Sequence, residues 1–140
     1  MNIIVERFNK IKSNIEKIPS DTKRTIVAVS KTFSLDHIMP LVNHGHMHYG
    51  ENKVQEADIK WLQIKDKKKD LKLHMIGKLQ SNKAKKAVQI FDYIHSLDSP
   101  KLADILARSQ ESINKSIKYF IQVNLGNEIQ KSGISYNEVD

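Results

Sequence analysis

Thr25-Ile26-Val27-Ala28-Val29-Ser30-Lys31-Thr32-Phe33-Ser34 is the stretch that decides how this chain folds. Its first five residues are apolar or β-branched, the composition of a short strand buried on both faces. The following residues form a strand-to-helix connection, and Ser34 stands as the N-cap of the helix beyond it. That connection contains no glycine. A doubly wound dinucleotide-binding sheet carries its glycine-rich phosphate turn at this first connection, so nucleotide binding by that route is disfavoured.

Working outward, the upstream residues Ile4, Phe8, Ile11, Ile15 and Ile18 recur at helical spacing. They draw one apolar stripe on an N-terminal helix that Pro19 ends. Downstream, Leu35, Ile38, Leu41 and Val42 make the buried stripe of the next helix, with Gly45 as its stop and Pro40 as an expected kink. Further strands are expected at about residues 46–50, 71–76, 93–97 and 117–125. Between them, Val54, Ala57, Trp61 and Ile64 share one helical face, as do Ala84, Ala87, Val88 and Phe91. Ser99-Pro100 opens a last helix presenting Leu102, Ile105 and Leu106.

Strands alternating with helices in this way imply right-handed βαβ units and a parallel sheet, closed as a barrel or left open and doubly wound. In a barrel, chemistry is drawn from residues just beyond the C-terminal ends of the strands. The suggestive polar residues fall there: Ser30 and Lys31, Glu51 and Asn52, the segment 77–83, Ser96 and Asp98, and Asn124. The residues thus set an α/β class with a parallel sheet and leave both closures open. Residues 1–140 read as a single domain with no internal boundary.

Composition narrows the classes. With 39% hydrophobic and 28% charged residues among 140, the chain is an ordinary globular one rather than a disordered or fibrous one. No apolar run is long enough for a membrane span and the N-terminus lacks a signal-peptide core, so a cytoplasmic protein is expected. There are no cysteines, which removes disulfides and thiolate chemistry. The net charge of +7 is concentrated in residues 60–86. Within them, 65–70 read as a polar loop, and Lys78, Lys83, Lys85 and Lys86 lead into a helix. The stretch holds no arginine for base edges and only Trp61 as an aromatic platform. A solvated lysine-rich face is expected, with a nucleic-acid-associated protein as an alternative.

Lys31 stands out chemically. It directly follows a buried strand, where partial desolvation would lower its pKa and free the amine for a Schiff base with a carbonyl. The plainer alternative is a strand-end lysine reaching water or pairing with Glu51. His44, His46 and His48 invite a metal reading, but only His46 and His48 share a strand and Glu51 has the opposite parity, so no metal site is assigned. His95, Ser96 and Asp98 lack a nucleophile elbow and are rejected as a triad.

Several strings then match a family pattern in order. They are Ala28-Val29-Ser30-Lys31-Thr32, Tyr49-Gly50-Glu51-Asn52-Lys53-Val54-Gln55-Glu56, His74-Met75-Ile76-Gly77-Lys78-Leu79-Gln80-Ser81-Asn82-Lys83, His95-Ser96-Leu97-Asp98-Ser99, and Ile121-Gln122-Val123-Asn124-Leu125 with Lys131-Ser132-Gly133. Together they resemble the pyridoxal phosphate homeostasis protein family, a small version of the alanine racemase N-terminal barrel, and the resemblance implies an α/β fold that is a partial (β/α)8 TIM barrel of about five βα units preceded by an N-terminal helix.

The resemblance implies pyridoxal 5'-phosphate held as a Schiff base on Lys31, with Asn52, Asn82, Asn124 and Lys131 at the cofactor rim. It implies a role in cellular homeostasis of that cofactor, as a carrier rather than an enzyme, since no second acid or base is identified. A racemase-like enzyme is the alternative. Phe33-Ser34 replaces the Lys-Pro that often follows the motif lysine, and Leu73 replaces a frequent Trp. The family's phosphate loop and the arginine near the pyridine nitrogen would fall beyond residue 140. A chain truncated there is expected to leave open barrel edges suited to a companion C-terminal fragment or to self-association.

Overall fold

The computed structural model of the protein describes residues 2–126 and 132–139. Helix α1 (Ile3–Glu16) starts at Asn2, whose side chain accepts the Ile4 N–H. It packs through Val5, Ile4 and Phe8, while Ile11 and Ile18 of the expected stripe are exposed. The βα alternation follows: β1 (Ala28–Val29), α2 (Leu35–His44), β2 (His48–Glu51), α3 (Val54–Lys67), β3 (Lys72–Met75), a 3-10 turn at Ser81–Lys83 with α4 (Ala84–Ile90), β4 (Tyr93–Leu97), α5 (Pro100–Glu111) and β5 (Lys118–Ile121).

The five strands are all parallel and lie in the order β1-β2-β3-β4-β5. Each strand adds beside its predecessor, with none of the reversal that marks a doubly wound sheet. This is barrel winding, and the expected partial (β/α)8 architecture is what the chain adopts. Among the described residues the sheet does not close, and β1 and β5 are its edges.

Register sorts the side chains. Tyr49 lies opposite Leu73, and Glu51 opposite Met75, which in turn pairs with Ile94. These residues face the helices, where Tyr49 meets Trp61 at a ring separation of 4.8 Å. Ala57, Ala84, Ala87, Val88, Leu102 and Leu106 complete this buried layer. Trp61 and Tyr49 are fully buried, each worth roughly 4–6 kcal/mol of hydrophobic transfer before entropy is counted. The opposite parity (His48, Gly50, His74, Tyr93, His95) lines the concave, inner face.

Several expectations are corrected in detail. The first strand is only Ala28–Val29, with Val29 at 53% exposure, because β1 is a sheet edge with a partner on one side alone. The expected strand 117–125 divides into β5 and β6 (Val123–Asn124), which pairs in parallel with β7 (Ile134–Ser135). The break is at Gln122, whose N–H donates to Leu97 O while its carbonyl accepts from the Ile134 N–H. The expected second strand starts two residues later, at His48.

The 65–70 loop is shorter than expected, since α3 runs on through Lys67. α2 continues through Pro40 to its left-handed stop at Gly45. Ser99 caps α5 as expected, accepting the Leu102 N–H at 3.1 Å, with Pro100 at the first helical position. Among the described residues no helix is long and apolar enough to cross a membrane.

Candidate functional site

Lys31 sits in a tight turn at the C-terminal end of β1. The Phe33 N–H donates to Ser30 O at 3.2 Å, closing four residues with Lys31 and Thr32 in the middle. Thr32 has φ 68°, the left-handed region that a type II turn demands at its third position and that a β-branched residue resists. Lys31 itself is exposed. The expected desolvation of its amine is therefore not found: an edge strand followed by a turn leaves the side chain in solvent.

The pairing of Lys31 with Glu51 is also replaced. Glu51 is 1% exposed, and its carboxylate accepts the Ser30 hydroxyl at 2.9 Å and forms an ion pair with Lys60 at 2.7 Å. Lys60 Nζ also donates to Ser30 O at 2.8 Å and meets Glu56 at 3.2 Å. Glu56 in turn accepts the Thr32 N–H at 2.7 Å. That hydrogen bond, together with Lys60, holds the Glu56 carboxyl below its usual range.

The residues flanking Lys31 are thus tied to α3 on both sides. Sequence reasoning placed Ser30 and Glu51 on the rim but counted Lys60 among solvated lysines. The Glu56–Lys60 spacing of i,i+4 was the signal available.

Asn52 follows directly after β2 and is half-buried; among the described residues its Oδ1 is buried without a hydrogen-bond partner. It borders a groove of about 730 Å³ that Lys53, Glu56, Gly77, Lys78 and Lys83 also line. Glu56 joins this groove to the Lys31 turn. Asn82 lies in the 3-10 turn after β3 and is exposed, outside the groove, with Gln80 and Lys83 lining it in its place. Asn124 is in β6, half-buried, beyond the opposite edge of the sheet from Lys31. Lys131 lies outside the described residues.

All four described positions follow the C-terminal ends of parallel strands. The structure brings Lys31 and Asn52 onto adjacent connections and sets Asn124 at the far side. A groove of similar size, about 750 Å³, lies between α1 and residues 22–26 at the other end of the strands and contains none of these residues.

The histidines organise differently from the metal reading. His44 is hydrogen-bonded to Asn9 and His46 packs on Phe8, whereas His48 belongs to a chain running His48–His74–His95 across three strands, with bonds of 3.0 and 2.8 Å. His74 also stacks on Tyr93 and His95 on Phe120. Of the lysine-rich stretch, Lys60 and Lys65 turn inward: Lys65 donates to Ile90 O and to Asp92 at 2.8 Å. Lys78, Lys83, Lys85 and Lys86 remain exposed.

A sequence profile described as alanine racemase, N-terminal domain, matches residues 7–140. The chain belongs to this family. Within the alanine racemase N-terminal domain family, it is 36% identical to a pyridoxal phosphate homeostasis protein of Pasteurella multocida, over 97% of this chain and 60% of that one. It is 31% identical to the protein of the same name from Schizosaccharomyces pombe, over 99% of this chain and 58% of that one.

Among solved structures it resembles PipY of Synechococcus elongatus with pyridoxal phosphate bound: TM-score 0.75 and 38% identity, covering 91% of this chain and 57% of PipY. An alanine racemase of Clostridium difficile shares the fold at TM-score 0.65 and 13% identity, over 92% of this chain and 32% of that one. The chain thus spans about 60% of the length of the curated relatives it matches end to end.

Proposed function

We propose that this chain binds pyridoxal 5'-phosphate covalently through Lys31 and serves in holding that cofactor for the cell rather than in turning over an amino acid. The observation that carries the reading is the placement of Lys31. It is an exposed primary amine on a turn tied down on both sides, at the rim of a sheet that matches PipY with the cofactor bound.

Pyridoxal phosphate would supply a reactive aldehyde there, and Lys31 would be the residue that holds it covalently through its amine, with one water leaving. The residues present fit this attachment. Beside the turn, Asn52 keeps a buried amide oxygen without a partner among the described residues, and Lys53, Lys78 and Lys83 bring positive charge to the groove wall, suited to a phosphorylated ligand. Asn52, Asn82, Asn124 and Lys131 are the proposed rim contacts, of which Asn52 has the strongest geometric support.

The curated relatives are named for homeostasis of the cofactor, which supports a carrier over the racemase alternative. The inward turn of Lys60 and Lys65 weakens the nucleic-acid alternative, since two cations of the stretch are committed to carboxylates. A companion fragment or a second copy against the open edges at β1 and β5 remains part of the proposal for partners.

Titration with pyridoxal phosphate, borohydride reduction and peptide mapping test the reading. A new imine absorbance with the label on Lys31 is expected; label spread evenly over the surface lysines overturns it. Absence of α-proton exchange on alanine in deuterated buffer is the expected companion result.

A further inference from the structure

We infer that Lys60 is a positioning residue: through Glu51 and Glu56 it fixes the turn that carries Lys31, and so selects which lysine of this lysine-rich chain takes the aldehyde. The inference deepens the covalent reading proposed above and rests on it.

Lys60 Nζ donates to Ser30 O at 2.8 Å and to Glu56 at 3.2 Å, and forms an ion pair with Glu51 at 2.7 Å. The Lys60 side chain is 9% exposed and that of Glu51 1%, so this is an enclosed arrangement rather than a surface pair. Each carboxylate has a second task. Glu51 holds the Ser30 hydroxyl and Glu56 holds the Thr32 N–H. The residue before Lys31 is thus gripped at its carbonyl and hydroxyl, and the residue after it at its N–H.

The turn needs such a grip. Thr32 at φ 68° occupies a region that a β-branched residue leaves readily when nothing holds it. Its restraint is the bond to Glu56, and Glu56 is kept in place by Lys60 one helical turn along α3. Removing the Lys60 ammonium leaves two carboxylates with no cation between them, which drives them apart. Glu56 then withdraws from Thr32, the turn relaxes, and Lys31 loses its fixed direction. An amine held in a productive direction reacts at a much higher effective concentration than a freely moving one.

The test uses the full chain with pyridoxal phosphate as the probe. It measures the share of reduced label on Lys31, together with hydrogen exchange at the Thr32 and Phe33 amides without cofactor. Lys60→Met is expected to lower the share on Lys31 about ten-fold relative to the other lysines and to speed exchange at Thr32. Lys60→Arg, which keeps the charge and the donors, is expected to restore most of the label. Should Lys60→Met not fold, Glu56→Ala carries the same expectation, because it removes the Thr32 acceptor from a side chain that is already 30% exposed.

Lys65→Met, on the same helix but paired with Asp92, is the control and leaves the label on Lys31 unchanged. A folded Lys60→Met or Glu56→Ala protein with unaltered label share overturns the inference. An adduct that persists in Lys31→Ala overturns the covalent reading and this inference together. One lost in Lys31→Ala but retained in Lys60→Met overturns this inference alone.

Discussion

His74 Nδ1 and His95 Nε2 lie 2.8 Å apart on neighbouring strands, and the other His74 nitrogen meets His48 at 3.0 Å. Neutral imidazoles satisfy such a chain, each giving one N–H and taking one. Burial, followed by the charges of His95 and His48, pushes His74 down to about 4, and burial also lowers His48 and His95.

The unfolded chain accepts protons below about pH 6.5 that folded His74 refuses until about pH 4. Stability is therefore full above about pH 6.5 and falls as the pH drops through that window, by on the order of 3 kcal/mol from His74 alone. Urea unfolding at a series of pH values measures the slope. His74→Gln should flatten it, and an unchanged slope in that variant refutes the assignment.

Gly77 is where two rim connections press together. A Cβ built there would stand 2.5 Å from Asn52 O and 2.8 Å from Asn52 Cα, both backbone atoms that cannot swing aside. Gly77→Ala is expected to cost about 1–3 kcal/mol and, on the function proposed above, to weaken pyridoxal phosphate binding by displacing Asn52. Denaturation and cofactor titration on the same sample measure both; a variant with parental stability would show that the connections yield more easily than their spacing implies.

Much of this was legible in the chain itself. Ser99-Pro100 announced α5 and Gly45 ended α2, and the strand-end position of Lys31 was readable although its exposure was not. The side-chain parity of His48 against Glu51 was readable too. The contacts between strands were not, because a hydrogen bond between His48 and His74 depends on register, which no single strand encodes. Lys60 was lost for a related reason: Glu56 lies one turn before it in sequence, but Glu51 reaches it only after β2 and α3 pack. The left-handed Thr32 ran against local preference and is held by a residue 24 positions away.

Asp92 joins three elements. Its carboxylate accepts Lys65 at 2.8 Å and the Leu73 N–H at 2.9 Å, with Lys115 at 4.0 Å, while Lys115 donates to the Val88 carbonyl near the end of α4. Burial, with help from the Lys65 charge, lowers Lys115 to about 8, and Asp92 opposes that shift. Asp92→Asn keeps an acceptor but removes the charge, so Lys115 should titrate still lower. NMR of the reductively methylated chain reads this value directly, and a rise instead of a fall excludes the role given to Asp92. Asp92→Ala also strips the Leu73 N–H of its partner, and a loss of about 3 kcal/mol is expected.

Thr32 offers the sharpest contrast between backbone and side chain. A left-handed conformation costs a non-glycine residue roughly 1–2 kcal/mol, whereas glycine adopts it freely but loses about 0.5–1 kcal/mol more entropy on folding. With φ at 68°, Thr32→Gly should therefore be neutral or stabilising by up to about 1 kcal/mol, an uncommon result for a substitution to glycine. Thr32→Pro should do the reverse. Proline fixes φ near −65° and has no N–H for Glu56, so both the turn and the 2.7 Å bond are lost and destabilisation of about 3 kcal/mol follows. Thermal melts of the two variants beside the parent decide the matter. If glycine destabilises as much as proline, the threonine side chain rather than its backbone holds the turn, and the strained backbone is not what the clamp restrains.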